Sequence, residues 1–286
     1  MKTKSLIPLP IAALAVLFCA PMAGAQVLFE AGEFALLGGT SIVNNGATEI
    51  HNGDIGLWNG TSISGFQNSD PVGPGVLVDG VIRPVSPDEA SKPGMEALIK
   101  LQNGLAAMTP DAILGNQLAG QELLPGVYQL GAADLTGDLV LNGNGQNNAF
   151  WVFQIGSTFV TGANAKITVI NAGSNGGSDY GVFWNAGTGI TTGADSELLG
   201  NFLAGTTITM GARSFGSGRA LALTDISLDA NNFDVFGGPG GGDWSGGLMY
   251  NEFGEVVAIP EASTYAVLFG FAALVMVGRR RMPKVG

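Results

Sequence analysis

From Gly189 to Asn231 the pattern of apolar and polar positions returns every 18 residues. Ile190-Thr191-Thr192-Gly193-Ala194-Asp195 is followed by Ile208-Thr209-Met210-Gly211-Ala212-Arg213, and then by Ile226-Ser227-Leu228-Asp229-Ala230-Asn231. Companion columns keep the same offset: Leu203-Ala204 with Leu221-Ala222, Gly200 with Gly218, and Trp184 with Phe202 and Ala220. Alternation such as Ile208-Thr209-Met210 has the two-residue period of a strand, and Gly, Asn and Ser supply the corners. A fixed period of this kind marks a solenoid, whose coils each need a neighbour to bury their apolar side. At about 3.3 Å per residue, one coil accommodates three short strands and their turns. The pattern therefore predicts a mainly-β, parallel β-helix of triangular cross-section.

The remaining chain fits around that core. Phe34-Ala35-Leu36-Leu37, Ile50, Ile55 and Ile63, set between Gly and Asn corners, read as the first coils. Ser86-Pro87-Asp88-Glu89 is a capping box with proline at the first helical position. It predicts a helix over about 87–108, interrupted at Pro93-Gly94 and stopped at Thr109-Pro110. Met95, Leu98, Ile99, Leu105 and Met108 form its apolar stripe. One amphipathic helix within a solenoid has its stripe covered only if it lies along the solenoid's side. Strands resume from Leu123 to Asn171, where Phe150-Trp151-Val152-Phe153-Gln154-Ile155 suits a strand buried on both faces. Gly237-Gly238-Pro239-Gly240-Gly241-Gly242-Asp243 opens an expected linker over 237–259.

Both ends are distinct from the body. Residues 1–25 read as a secretory signal: Lys2 and Lys4, an apolar stretch from Ile11 to Phe18, and Ala23-Gly24-Ala25 before Gln26. Residues 260–286 hold Pro260-Glu261-Ala262, an apolar run from Tyr265 to Val277, and Arg279-Arg280-Arg281 as a basic stop. That run is short for a membrane span, and the basic cluster is expected to stay on the cytoplasmic side. The body is expected to occupy 26–236.

Charge and composition narrow the chemistry. Between Gln26 and Pro260 stand 6 Lys or Arg against 22 Asp or Glu, a net −16, and such a surface repels nucleic-acid phosphates. Cys19 is the one cysteine and lies in the signal segment, so disulfides and thiol chemistry are not expected in a processed chain. His51, the one histidine, has no acidic cluster beside it and reads as a surface or turn residue. No metal or cofactor site is expected. Asp225 and Asp229 are four apart, but neither a His or Lys base nor a calcium loop accompanies them, so no catalytic residue is assigned.

Two resemblances add to this. The last 27 residues resemble a PEP-CTERM sorting signal, with Ala262 in the third place of the motif. That implies processing by an exosortase and an exported protein of a Gram-negative cell envelope or surface. The body is similar to the bacterial and fungal ice-binding proteins with the discontinuous β-helix fold. The matching stretches are Phe34-Ala35-Leu36-Leu37, Gly53-Asp54-Ile55-Gly56, Ile63-Ser64-Gly65-Phe66, Leu124-Pro125-Gly126-Val127-Tyr128, Phe150-Trp151-Val152-Phe153-Gln154-Ile155-Gly156-Ser157, Val182-Phe183-Trp184 and Gly218-Arg219-Ala220-Leu221-Ala222. The implied fold is a right-handed, discontinuous β-helix with the one long helix packed along its side.

That family implies adsorption to ice through a flat, stiff face of threonines, whose methyl orders water while the hydroxyl anchors it. A Thr-(Ala/Gly)-X-(Thr/Asn) pattern, carried on many bacterial members' ice faces, is met in full by Thr161-Gly162-Ala163-Asn164. Thr192-Gly193-Ala194-Asp195 meets it in part. Thr161, Asn164, Thr191, Thr192 and Thr209 are thus the expected ice contacts. Because Thr192 is followed at 18-residue intervals by Met210 and Leu228, the expected face loses its regularity there. The alternative is a non-catalytic matrix protein with this fold, contacting extracellular polysaccharide, with Trp58, Trp244 and Tyr250 as the aromatics for stacking on sugars.

Overall fold

The computed structural model describes residues 27–83 and 89–260. The signal segment, Ser86-Pro87-Asp88 of the capping box, Glu261 and Arg279-Arg280-Arg281 lie outside the described residues. Each coil of the parallel solenoid contributes strands to three faces. One strand set includes Gly126–Leu130, Phe150–Ile155, Gly181–Ala186, the second halves of Glu197–Ala204 and Phe215–Ala222, Phe34–Gly38 and Asp54–Leu57. This face is covered by a helix. The second, open face is a seven-stranded sheet from Ala133–Leu135 to Ser62–Ser64. The third is charged, and includes Asp138–Asn142, Lys166–Ile170, Asn232–Asp234 and Glu49–His51.

The stacking order is not the chain order. Phe34–Gly38, near the beginning, pairs with Phe215–Ala222, placing Leu36 beside Ala220 and Leu37 beside Leu221. Asp54–Leu57 stacks on the far side of Phe34–Gly38. The chain must then reach the other end of the solenoid, and helix α1 (Lys92–Ala107) carries it there. Its 16 residues rise about 24 Å, which matches about five coil spacings of 4.8 Å. Pro93 does not interrupt this helix, and it does not start at 87: Glu89 to Ser91 are non-helical, and Pro93 sits in the first turn. A proline costs no helical hydrogen bond there.

Inward and outward columns have separate duties. Tyr128, Phe153, Trp184, Phe202 and Ala220 form one interior row, in register across five strands. Phe153 and Trp184 stack with centroids 4.0 Å apart and planes within 5°, while Trp184 Nε1 donates to Leu199 O at 2.9 Å. Outward on the same strands, Val127, Val152, Phe183, Leu203, Leu221 and Leu37 make a second core with Met95, Leu98, Leu101 and Leu105 of α1. Ile99, expected in that stripe, is instead 40% exposed. Gln154 donates to the carbonyls of Leu105 and Met108, and Asn185 to that of Gln102. Of these three carbonyls, that of Met108 at the helix C-cap is one that the end of a helix leaves without an intrahelical partner.

The charged and covered faces join without a loop in two coils. Glu197–Ala204 and Phe215–Ala222 each run continuously round the corner, bending at Gly200 (φ 104°) and Gly218 (φ 124°). A Cβ on Gly218 would stand 2.1 Å from Gly200 O. This is why glycine repeats there at the coil period.

The segment after Phe236 is not a linker in the structure. Trp244 and Leu248 are buried, and Leu248–Tyr250 pairs with Val256–Ala258 in an antiparallel hairpin against α1. Arg219, 1% exposed, fixes it: Nη2 meets Asp243 Oδ2 at 2.8 Å and Nη1 donates to Asp243 O at 2.8 Å. Nε and Nη2 also donate to Gly32 O, tying in the short 3-10 turn Phe29–Glu33. Glycines let this backbone lie close on the solenoid, and one guanidinium supplies the anchor that glycine-rich composition conceals. Burial lowers the Arg219 pKa against the pull of Asp243. Burial alone would raise that of Asp243, but Arg219 and Ser245 together hold it below the usual carboxylate range.

Asp243→Ala leaves Arg219 as an unpaired buried charge and should cost about 3–5 kcal/mol, read from chemical unfolding. Since the folded Asp243 carboxyl sits below its unfolded value of about 3.9, its contribution is complete above that pH and is lost as pH falls through the folded pKa. An acid titration of Asp243→Asn should therefore show a flatter loss of stability below about pH 4 than the unaltered chain.

Candidate ice-binding face

With one face under α1 and one charged, the open face is the extended β-surface left for a flat ligand. Its strands alternate strictly. Ala133, Phe159, Ile190, Ile208, Ile226, Ile42 and Ile63 point inward and are buried. The next residues, Asp134, Val160, Thr191, Thr209, Ser227, Val43 and Ser64, align in an outward row across all seven strands. The residues before the isoleucines include Thr207, Asp225, Ser41 and Ser62 and make a second outward row. At the corner leading into this face a third row is joined by backbone hydrogen bonds: Thr188 N to Ser157 O, Thr206 N to Thr188 O, Thr224 N to Thr206 O and Thr40 N to Thr224 O.

The result is a grid of short hydroxyl side chains. Coils repeat at about 4.8 Å, and outward positions two apart in a strand are about 6.6 Å from each other. Thr188, Thr191, Thr206, Thr207 and Thr209 are exposed. The charges on the grid are Asp134 on the edge strand and the half-buried Asp225, whose Oδ1 accepts from Ser41 Oγ at 2.7 Å. On the charged face, by contrast, one outward row reads Asp138, Lys166, Glu197, Phe215, Asn232 and Glu49, with Lys166 and Glu197 paired at 2.5 Å. Charged groups hold their own oriented hydration and stand proud of the sheet, so the open face suits ordered water better.

The five expected contacts divide. Thr191 and Thr209 lie side by side on the open face. Thr161 and Thr192 do not belong to its surface: each is 4% exposed. Their hydroxyls face the next coil, where Thr161 Oγ1 accepts from Gly193 N and Thr192 Oγ1 from Gly211 N, both at 2.9 Å. Met210 and Leu228, which succeed Thr192 along the axis, are buried core residues. The break in hydroxyls read from that column thus falls in the interior and not on the open face.

Asn164 is exposed at the corner between the open and charged faces, with φ 58°. Asp195 (57°), Arg213 (58°) and Ala230 (53°) take the same left-handed turn in later coils. Asn and Asp favour that conformation, which accounts for Asn164 without a ligand. Arg213 and Asp195 form a two-pronged exposed pair at this corner, at 2.8 and 2.7 Å. The hydrogen bond from Arg213 is the largest cause of the lowered Asp195 pKa.

Thr40, Ser41, Thr188, Thr206, Thr207, Thr224 and Ser227, outside the five residues expected from sequence, also stand along the open face. Thr188, Thr206 and Thr224 stand 18 residues apart, two before Ile190, Ile208 and Ile226. The signal was in the repeat already found. Of the aromatics considered for sugars, Trp244 is buried and donates to Ser217 Oγ, Tyr250 stacks on Phe29 at 5.1 Å, and Trp58 is half-buried. Among the described residues no three His, Cys, Asp or Glu gather to hold a metal ion.

A face of this kind on a discontinuous β-helix is that of an ice-binding-like fold. Residues 36–234 match the ice-binding-like family model, and the chain belongs to that family. It is 34% identical over 187 residues to an ice-binding protein of Nostoc sp. (strain HG1), a match covering 65% of this chain and 64% of that protein. It is also similar to the crystal structure of an ice-binding protein from the Antarctic ascomycete Antarctomyces psychrotrophicus, with 30% identity and a TM-score of 0.64 over 72% of this chain and 96% of that one. A structure of an ice-binding protein from an Antarctic biological consortium gives 26% identity and a TM-score of 0.65, covering 80% and 96%.

Thr161→Val and Thr192→Val should each cost about 1 kcal/mol by removing the acceptor of a part-buried glycine N–H. Differential scanning calorimetry reads this as a lower melting temperature, with the outer grid unchanged.

Proposed function

We propose that this protein adsorbs to ice through the open face, and that its activity is non-catalytic. The observation that carries the reading is the three-row hydroxyl grid, with Thr191, Thr209 and Ser227 in one row and Thr188, Thr206 and Thr224 in another. Threonine is stiff about χ1, so the methyl and hydroxyl of each outward residue are held without much entropy still to lose. The sheet is buried beneath and hydrogen-bonded to its neighbours, so the grid is rigid before it meets a crystal. Membership of the family, and relatives described as ice-binding proteins, support the same reading.

The ends supply the setting. Residues 1–25 direct export, and Pro260-Glu261-Ala262 with the apolar run and Arg279-Arg280-Arg281 acts as an exosortase-processed signal that retains the protein on a Gram-negative envelope or releases it. Before processing, that apolar segment associates with the membrane. Among the described residues, no helix is long and apolar enough to cross a membrane.

Replacing both Thr191 and Thr209 by Tyr raises bulk above the plane at the centre of the grid. Ice recrystallisation inhibition and crystal shaping should be lost, while stability, as for other surface changes, shifts by no more than about 0.5 kcal/mol. Unchanged shaping by that variant would remove the open face as the site.

A further inference from the structure

Two grooves flank α1. The one beside the open-face corner runs past Gly156, Gly187 and Gly205, and its amides Gln154 and Asn185 are already spent on helix carbonyls. The other is a cleft of about 560 Å³ between α1 and the hairpin, within the size range of small-ligand sites. Lys100, Asn103 and Ala107 line its helix wall, three and four residues apart and so on one side of α1. Glu255 and Val257 of the hairpin and Thr109 complete it.

The polar groups here are held in place and unspent. Asn251 Oδ1 accepts from Phe253 N and Glu255 N, both at 2.9 Å, and its Nδ2 donates to Glu255 Oε2 at 2.8 Å. That fixes the carboxylate and leaves Oε1 to accept from a ligand. Of the six Lys and Arg between Gln26 and Pro260, Lys100 alone has no carboxylate partner among the described residues. Its Nζ stands 4.2 Å from the Tyr250 ring centroid and 5.1 Å from that of Phe29. The rings attract the ammonium by its charge, so its N–H donors remain for oxygens. Tyr250 brings its ring edge to 3.9 Å of a Cβ on Gly104, which also lines the cleft, and its hydroxyl is buried without a hydrogen-bond partner. Such an orphan calls for an explanation.

Charge decides the class of ligand. A body of net −16 repels a polyanion, and Lys100 repels a cation at the cleft itself. A neutral ligand rich in hydroxyls accepts from Lys100 and Asn103 and donates to Glu255. Phe253, 79% exposed beside Gly254 and Glu255, offers an apolar ring to the C–H side of a sugar. We propose that this cleft binds a neutral saccharide, giving the domain a carbohydrate site apart from the open face. The cleft lies across α1 from the groove at the open-face corner, so both surfaces are accessible at once.

The test is calorimetric titration of the full chain above freezing, in a polyoxyethylene detergent, which carries no sugar. The probes are cellotriose, xylotriose and maltotriose, with triguluronate as the charged counterpart. A neutral trisaccharide should bind at a single site, and triguluronate more weakly. Asn103→Ala and Glu255→Gln should each weaken that binding about tenfold, the loss of one hydrogen bond. Ala107→Trp, which fills the cleft from an exposed helix position, should abolish it with the circular dichroism spectrum unchanged. No binding of any neutral probe, or tighter binding of triguluronate, would overturn the proposal. So would binding that survives Ala107→Trp or is unmoved by Asn103→Ala and Glu255→Gln.

Discussion

Everything in this molecule depends on the two-residue pleat of strands stacked in parallel register. Along the open face it sends Ile190, Ile208 and Ile226 inward and Thr191, Thr209 and Ser227 outward. Parallel stacking then converts each position into a straight row, since every strand repeats at about 4.8 Å. The same rule gives the covered face two apolar sides: Phe153, Trp184 and Phe202 within, Val152, Phe183 and Leu203 under the helix. A slip by one residue would invert both faces together, so core and grid are specified jointly.

Closing such a solenoid needs long-range connections. The first coils stack on the last, and α1 bridges the length that this leaves. Arg219 then locks the 3-10 turn at Phe29–Glu33 to Asp243, 24 positions further on, in the interior beside Asn201. A buried ion pair is weak evidence for net stability. Here its directional bonds set the path of the chain after Phe236, which is a matter of geometry.

The solenoid was legible in the sequence because its repeat is a direct consequence of coil length, and the Trp184, Phe202, Ala220 row was found in register as read. The site was legible only in part. Thr191 and Thr209 are exposed neighbours, but Thr161 and Thr192 have the same residue type one position out of phase, and the pleat turns them inward. A four-residue motif does not carry phase; the alternation of the whole strand does. The helix start was misplaced because Pro93 is harmless in a first turn. The packed segment after Phe236 was hidden because its anchors, Arg219 and Trp244, are separated by 24 residues of other coils and corners and have no local signature.

On the proposed reading, ordered water meets the open face and no other. Magnetisation transfer from ice to isotopically labelled protein frozen onto it measures this directly, methyl by methyl. The strongest transfer is expected to Thr188, Thr191, Thr206 and Thr209, and little to the buried Thr161 and Thr192 or to Val140 and Thr168 on the charged face. Transfer concentrated on the charged face, or equal on both, would contradict it.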